Sequence, residues 1–131
     1  MIFIDSNVPM YLVGAPHPNK DRAVAVLTQL AREGERFVTD VEVYQEILHR
    51  YTAIHRTDAI DAAFESLNAL VDDTLSFDMS EVRLARDIIA SVDGISARDA
   101  LHVAVMRKAE VSRIFSFDRG FDACPGIDRL E

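Results

Sequence analysis

Three carboxylates in this sequence stand where chemistry is easier to explain than structure. Asp5 ends the apolar run "MIFID", and Asp118 ends "FSFD", which then turns through Arg119 and Gly120. Each run reads as a short buried strand that stops on an acid. Asp99 opens "ARDALHVAVMRKA", a stretch so apolar through Ala100, Leu101, Val103, Ala104, Val105 and Met106 that its helix must be buried over its first half. An ionised carboxylate entering such surroundings is costly unless it is paired or bound to a cation. The plain structural reading of Asp99 is an acid in the first turn, three residues after Ser96 in a capping-box-like spacing. If Asp5, Asp99 and Asp118 converge, their repulsion raises their pKa values or recruits cations. Oxygen-only donors select hard ions such as Mg²⁺ or Mn²⁺, and no Cys/His set competes for zinc. Such ions can place a phosphodiester, turn a bound water into a nucleophile and stabilise the leaving oxygen.

The elements that must position these acids alternate between strand and helix. Strands are expected over Met1 to Ile4, Arg36 to Thr39, Thr74 to Phe77 and Arg113 to Phe117, with Ile127 to Leu130 a candidate edge strand. Helices are expected over Arg22 to Arg32, Glu42 to Ile54, Asp58 to Leu70, Ser80 to Ser91 and Ala97 to Ala109, and "VGAPHPNKD" reads as a surface loop. The alternation predicts an α/β fold with right-handed crossovers and a parallel sheet covered on both faces. In such sheets the ligand crevice lies outside the carboxyl ends of the strands, where Asp5 and Asp118 both fall.

Other polar residues are less decisive. His102 lies one turn after Asp99 on the same face, and a lone histidine in an apolar helix is more often a hydrogen-bonded core residue than a ligand. Glu46 falls off the stripe of Val43, Ile47 and Tyr51 and has Arg50 four residues on, so periodicity alone makes it a solvated salt-bridge residue. Asp122, four residues after Asp118, is either an auxiliary acid facing the crevice or a turn cap. Asp40 has no role that the sequence assigns, and His17, His49 and His55 show no metal-like spacing.

Composition sets the outer limits. The chain has 131 residues, 49% of them hydrophobic and 27% charged, as expected of one globular domain over residues 1–131. No apolar run approaches the ~20 residues of a membrane span. Met1 leads into a strand rather than a basic leader, so a cytoplasmic protein with no membrane partner is expected. Cys124 is the single cysteine and forms no internal disulfide. With 14 basic and 22 acidic residues the net charge is −8, which argues against a general nucleic-acid binder held by a basic surface. It leaves open phosphate binding through metal ions.

Together, "MIFIDSNVPMYLVG", "VTDVEVYQEILHRY", "ARDALHVAVMRKAEV" and "IFSFDRGFD" resemble a PIN-domain ribonuclease of the VapC type, the toxin of a toxin–antitoxin pair. The four segments run in the right order from residue 1 to residue 122. The resemblance implies a PIN-like three-layer α/β/α sandwich with a central parallel sheet and an acidic pocket for Mg²⁺ or Mn²⁺. It implies catalytic acids at Asp5, Glu46, Asp99 and Asp118, of which Asp5, Asp99 and Asp118 hold the metal. This match, and not the periodicity, makes Glu46 a site residue. Ser6 and Ser116 correspond to hydroxyls that contact the phosphate or a metal-bound water, Asn7 belongs to the first motif, and Asp122 is a further acid of some members. Thr39 matches a hydroxyl at the end of the second strand. The family resemblance also implies an RNA substrate, a homodimer and a cognate antitoxin whose tail, often carrying an arginine, covers the pocket. The alternatives are a non-catalytic PIN-like interaction domain, which should have lost one or more acids, and a phosphatase with a strand-end aspartate nucleophile. The latter wants a second acid two residues on, where this chain has Asn7.

Overall fold

The computed structural model describes residues 1–131, and its architecture follows from five short strands, of which the three central ones are too apolar to face water. They are β1 (Ile2–Ile4), β2 (Phe37–Asp40), β3 (Asp73–Leu75), β4 (Arg113–Phe115) and β5 (Asp128–Leu130). All neighbours pair in parallel in the order β3-β2-β1-β4-β5. The central strands β1, β2 and β4 are almost wholly buried, as a parallel sheet covered on both faces demands. The edge strands β3 and β5 carry Asp73, Asp128 and Arg129 and are only partly buried.

Six helices form the outer layers of an α/β/α sandwich: α1 (Asn7–Val13), α2 (Pro18–Arg32), α3 (Val41–Ala53), α4 (Ile60–Leu70), α5 (Met79–Ser91) and α6 (Ala97–Lys108). Helices α5 and α6 pack against each other, while α1 packs on α2 and α4. One contiguous apolar core runs from Ile2 to Cys124, and Phe3, Phe115, Phe121, Ile47, Leu67 and Met106 are among its fully buried members. Each such side chain contributes ~1.5–3 kcal/mol of burial free energy. No helix is long and apolar enough to cross a membrane.

The expected elements form, with boundaries shifted by a few residues and two differences. Helix α1 stands where no element is expected. Its only unusual residue, Pro9, occupies the third helical position, where a missing N–H costs nothing because first-turn donors have no intrahelical acceptor. Gly14 ends it: a Cβ there would meet the Met10 carbonyl oxygen at 2.9 Å, closer than packed atoms allow. Helix α2 starts four residues before the expected Arg22, because Pro18 is a favourable first residue and the His17 imidazole caps it by accepting from the Asn19 N–H at 3.0 Å. The expected 58–70 helix also begins as a 3₁₀ turn, Thr57–Ala59, before α4.

Strand order fixes where a site can be. From central β1 the chain runs outward through β2 to β3 on one side, and later through β4 to β5 on the other. The reversal falls between β1 and β4, and the crevice beyond their carboxyl ends is the topological switch point.

Candidate active site

Both strands that flank the switch point lead to acids, β1 directly to Asp5 and β4 through Ser116 and Phe117 to Asp118. Asp5 follows β1, and its N–H continues the ladder to the Phe115 carbonyl of β4 at 3.2 Å. The side chain is 3% exposed. Its Oδ1 accepts from the Ser6 N–H at 2.8 Å, and its Oδ2 accepts from the Ser116 hydroxyl at 2.5 Å and from Asn7 Nδ2 at 3.4 Å. Burial pushes the Asp5 carboxyl above its ordinary range, against the opposing effects of the His102 charge and the Ser116 hydrogen bond.

Ser116 is also where Asp118 is anchored. Its oxygen accepts from the Asp118 N–H at 3.0 Å and from Asn7 Nδ2 at 3.3 Å. Asp118 then caps the 3₁₀ turn Arg119–Ala123 by accepting from the Gly120 N–H at 2.8 Å. Gly120 sits close to both acids: a Cβ there would lie 3.2 Å from Asp118 Oδ1, a tight contact, and 3.5 Å from Asp99 Oδ2, an ordinary one. The turn glycine thus lies against two carboxylates from different elements.

Asp99 arrives on the first turn of α6, whose cap is the Ser96 hydroxyl accepting from the Asp99 N–H at 3.1 Å. The capping expectation holds for Ser96, but the Asp99 side chain faces the acids rather than the cap. It is 9% exposed, and its carboxyl is raised to about 7 by burial, by the charges of Asp5 and Asp118, and by a hydrogen bond with Asp118. Neither Asp99 nor Asp118 forms an ion pair.

Glu46 corrects the helical-wheel expectation. Its side chain is 12% exposed and turns from Arg50 toward the sheet, where Oε2 accepts from the Ser6 hydroxyl at 2.7 Å and Oε1 bonds His102 Nε2. Burial opposes ionisation, but the His102 and Ser6 hydrogen bonds outweigh it and hold the Glu46 carboxyl below its usual range.

His102 is the hydrogen-bonded core residue expected of it, and more than that. It is fully buried, tilted against Phe3 with ring centroids 5.4 Å apart, and its Nδ1 meets Asp40 Oδ2 at 2.7 Å. Burial disfavours the charge, yet the two carboxylates raise the imidazole well above its ordinary pKa, so it is an imidazolium donating from both nitrogens. Asp40, which the sequence leaves without a role, is fully buried, orients His102 and caps α3 by accepting from the Val43 N–H at 2.9 Å. One hydrogen-bonded chain therefore runs from Asp40 through His102, Glu46 and Ser6 to Asp5, Ser116 and Asp118. Thr39, also fully buried, donates to the Ile4 carbonyl at 2.9 Å and ties β2 to the end of β1.

Asp5, Ser6, Glu46, Asp99 and Asp118 all line one cleft of about 460 Å³. Two expected site residues sit otherwise. Ser116 is fully buried beneath the carboxylates and not in the cleft wall, so it braces Asp5 and Asp118 instead of touching a ligand. Asp122 is exposed, does not line the cleft, and pairs with Arg129 at 2.8 and 3.1 Å, which lowers its pKa. The turn supplies this partner from β5, which no spacing in the sequence indicates.

Asp5, Glu46 and His102 place potential ligand atoms within 4.8 Å of one another. An imidazolium with both nitrogens committed is no ligand, so the donors left are oxygens. Asp99 and Asp118 lie close together without a cationic partner and share the cleft with Asp5, and carboxylate oxygens of this kind are the donors a hard divalent ion takes.

The PIN domain family profile matches residues 2–126. Ribonuclease VapC13 of Mycobacterium tuberculosis is 52% identical over 130 residues, covering 99% of both chains, and ribonuclease VapC23 of the same species is 36% identical over 118 residues, covering 90% of this chain and 93% of that one. Among solved structures, VapC20 of M. tuberculosis, described as a toxin that cleaves the sarcin–ricin loop, superposes with a TM-score of 0.75 at 23% identity over 94% of each chain. VapBC2 of Rickettsia felis, bound to a promoter DNA fragment, gives 0.75 at 12% identity over 99% of this chain and 98% of that one. At those identities the superpositions speak for the fold, and the sequence relatives speak for the family. The chain belongs to the PIN-domain family, among its VapC-type ribonucleases.

Proposed function

We propose that this protein is a divalent-metal-dependent endoribonuclease, the toxin of a type II toxin–antitoxin pair, with the whole chain acting as one domain. The observation that carries the reading is the juxtaposition of Asp99 and Asp118 without a cationic partner, beside buried Asp5. Asp5, Asp99 and Asp118 would hold Mg²⁺ or Mn²⁺, with Glu46 adding its charge directly or through water. A bound ion of this kind supplies a lowered pKa for water and neutralises charge on a scissile phosphodiester.

The chain's own residues do the rest. Ser116 and the Ser6 N–H fix both oxygens of Asp5. The Asp40–His102 pair holds Glu46 ionised and aimed at Ser6. Ser6 donates its hydroxyl hydrogen bond to Glu46, so what its oxygen has left to offer is acceptor capacity, for a donor or a cation. No cysteine or histidine lines the cleft, and Glu46, the carboxylate that Ser6 bonds, is held below its usual pKa and is therefore a weak base for activating a hydroxyl, which suits direct hydrolysis by water.

A cognate antitoxin with a basic segment over the cleft suits both the acidic lining and the net charge of −8. Homodimerisation belongs to the same reading. The test is incubation of antitoxin-free protein with a cellular RNA pool and Mg²⁺ or Mn²⁺, beside an EDTA control. Discrete fragments that disappear with EDTA are expected. Intact RNA from folded, metal-loaded protein would turn the assignment to a binding domain.

A further inference from the structure

The acidic cleft has two features that its carboxylates do not use. Arg50 on α3 and Arg98 on α6 are exposed, line the cleft, and form no salt bridge, although acids surround them. They are the only cationic residues in its lining. In a chain of net charge −8 they stand at an acidic cleft without closing onto its carboxylates, although the Arg98 charge is near enough to lower the pKa of Glu46. Guanidinium groups kept free present forks that match phosphate oxygens.

The third residue is Tyr11 on α1, also in the lining and half-buried. Its ring is held from two sides. His17 lies 4.9 Å away at 33°, and Phe117 meets it edge-on at 5.2 Å and 78°. Phe117 in turn rests on fully buried Phe115 at 5.4 Å. The last turn of α1 that carries Tyr11 is itself fixed by the tight approach at Gly14. An aromatic ring braced in this way and open to a polar cleft is a preorganised stacking surface, and a nucleobase is the flat partner that accompanies a phosphodiester.

We infer that Tyr11 stacks an unpaired base of the RNA while Arg50 and Arg98 grip phosphates beside the scissile one. This rests on the ribonuclease reading. The three residues hold substrate and take no part in bond breaking. The acids alone repel the polyanion, so affinity must come from such flanking contacts.

The test is fluorescence anisotropy with a short labelled single-stranded oligoribonucleotide in Ca²⁺, its integrity checked by gel, using the full chain. Wild type should bind, Tyr11→Phe should bind equally, and Tyr11→Leu should bind about tenfold more weakly. Arg50→Ala with Arg98→Ala should reduce the slope of log affinity against log salt by about 1.4, at about 0.7 for each of two phosphate contacts on a single strand. A blunt duplex of the same sequence should show no dependence on Tyr11. Melting curves on every variant separate loss of a contact from loss of the fold. Unchanged binding by folded Tyr11→Leu and by the double arginine variant overturns the inference, and so does absence of binding by wild type. Cleavage of cellular RNA by wild type, read separately, distinguishes this failure from failure of the ribonuclease reading.

Discussion

Asp40 Oδ2 lies 2.7 Å from His102 Nδ1, joining the N-cap of one helix to the middle of another across 62 residues of sequence. Both side chains are fully buried. A buried imidazolium tolerates this position only because Asp40 and Glu46 flank it, and Asp40 also serves the Val43 N–H.

Asp40→Ala should therefore destabilise the protein by about 3 kcal/mol or more, since it removes a helix cap and half the neutralisation of a buried cation. Asp40→Asn should fall between wild type and alanine, because one amide oxygen cannot serve two donors that now need separate acceptors. Urea denaturation of the three proteins gives the ranking. Equal stability of the alanine variant and wild type would contradict the charged His102.

Ser116→Ala removes the shortest bond to Asp5 and the anchor of the Asp118 N–H while leaving the cleft wall unchanged. The expected cost is ~1–3 kcal/mol in stability and about 10- to 100-fold in Mn²⁺ affinity, the usual effect of losing a group that orients a ligand. Calorimetric titration with Mn²⁺ measures the second. Unchanged affinity would show that Ser116 does not orient the metal-holding carboxylates.

Asp99 gives a pH prediction with a defined sign. Its carboxyl is raised to about 7 in the fold against an ordinary 3.8, so between those values the folded protein binds the extra proton. Stability contributed by this group must fall as pH rises through that window. In EDTA, Asp99→Asn should melt several degrees above wild type at pH 8, and the gap should close toward pH 4. Mg²⁺ should remove the wild-type penalty at pH 8 and leave Asp99→Asn unchanged. A melting temperature lower for Asp99→Asn than for wild type at pH 8 in EDTA would show that the acidic cluster is not repulsive.

Asp122→Ala should leave RNA cleavage unchanged, because Asp122 faces Arg129 and not the cleft, and should cost ~1–3 kcal/mol in stability, because the Arg129 side chain is only 7% exposed and keeps Glu131 as its remaining carboxylate partner. A loss of cleavage in folded Asp122→Ala would restore it to the site.

The acids at Asp5 and Asp118 were legible in the sequence because an apolar strand that ends on a carboxylate has few structural reasons to do so. Asp99 was legible because it enters a buried run. Glu46 was legible only through family resemblance: periodicity reports which side of α3 faces the core, and Glu46 sits at the margin of that side, where its partners Ser6 and His102 come from the N-cap of α1 and from α6. His102 carried no amphipathic signal, since α6 is apolar nearly all round. Asp40 looked like a spare charge because capping a helix and neutralising a distant histidine are both contacts that only the folded chain creates. Helix α1 escaped notice because Pro9 and the following Gly/Pro segment read as loop, although a proline in the first turn is compatible with helix.

The most direct measurement is the rate at which a single labelled RNA is cut as Mn²⁺ is titrated, for wild type beside Asp5→Asn, Asp99→Asn and Glu46→Gln. The account predicts saturable metal dependence for wild type, at least a hundredfold loss for each aspartate variant with the fold retained, and a weaker apparent Mn²⁺ affinity for Glu46→Gln. Cleavage by wild type that persists in EDTA, or full activity of folded Asp5→Asn or Asp99→Asn, would contradict a metal held by these carboxylates.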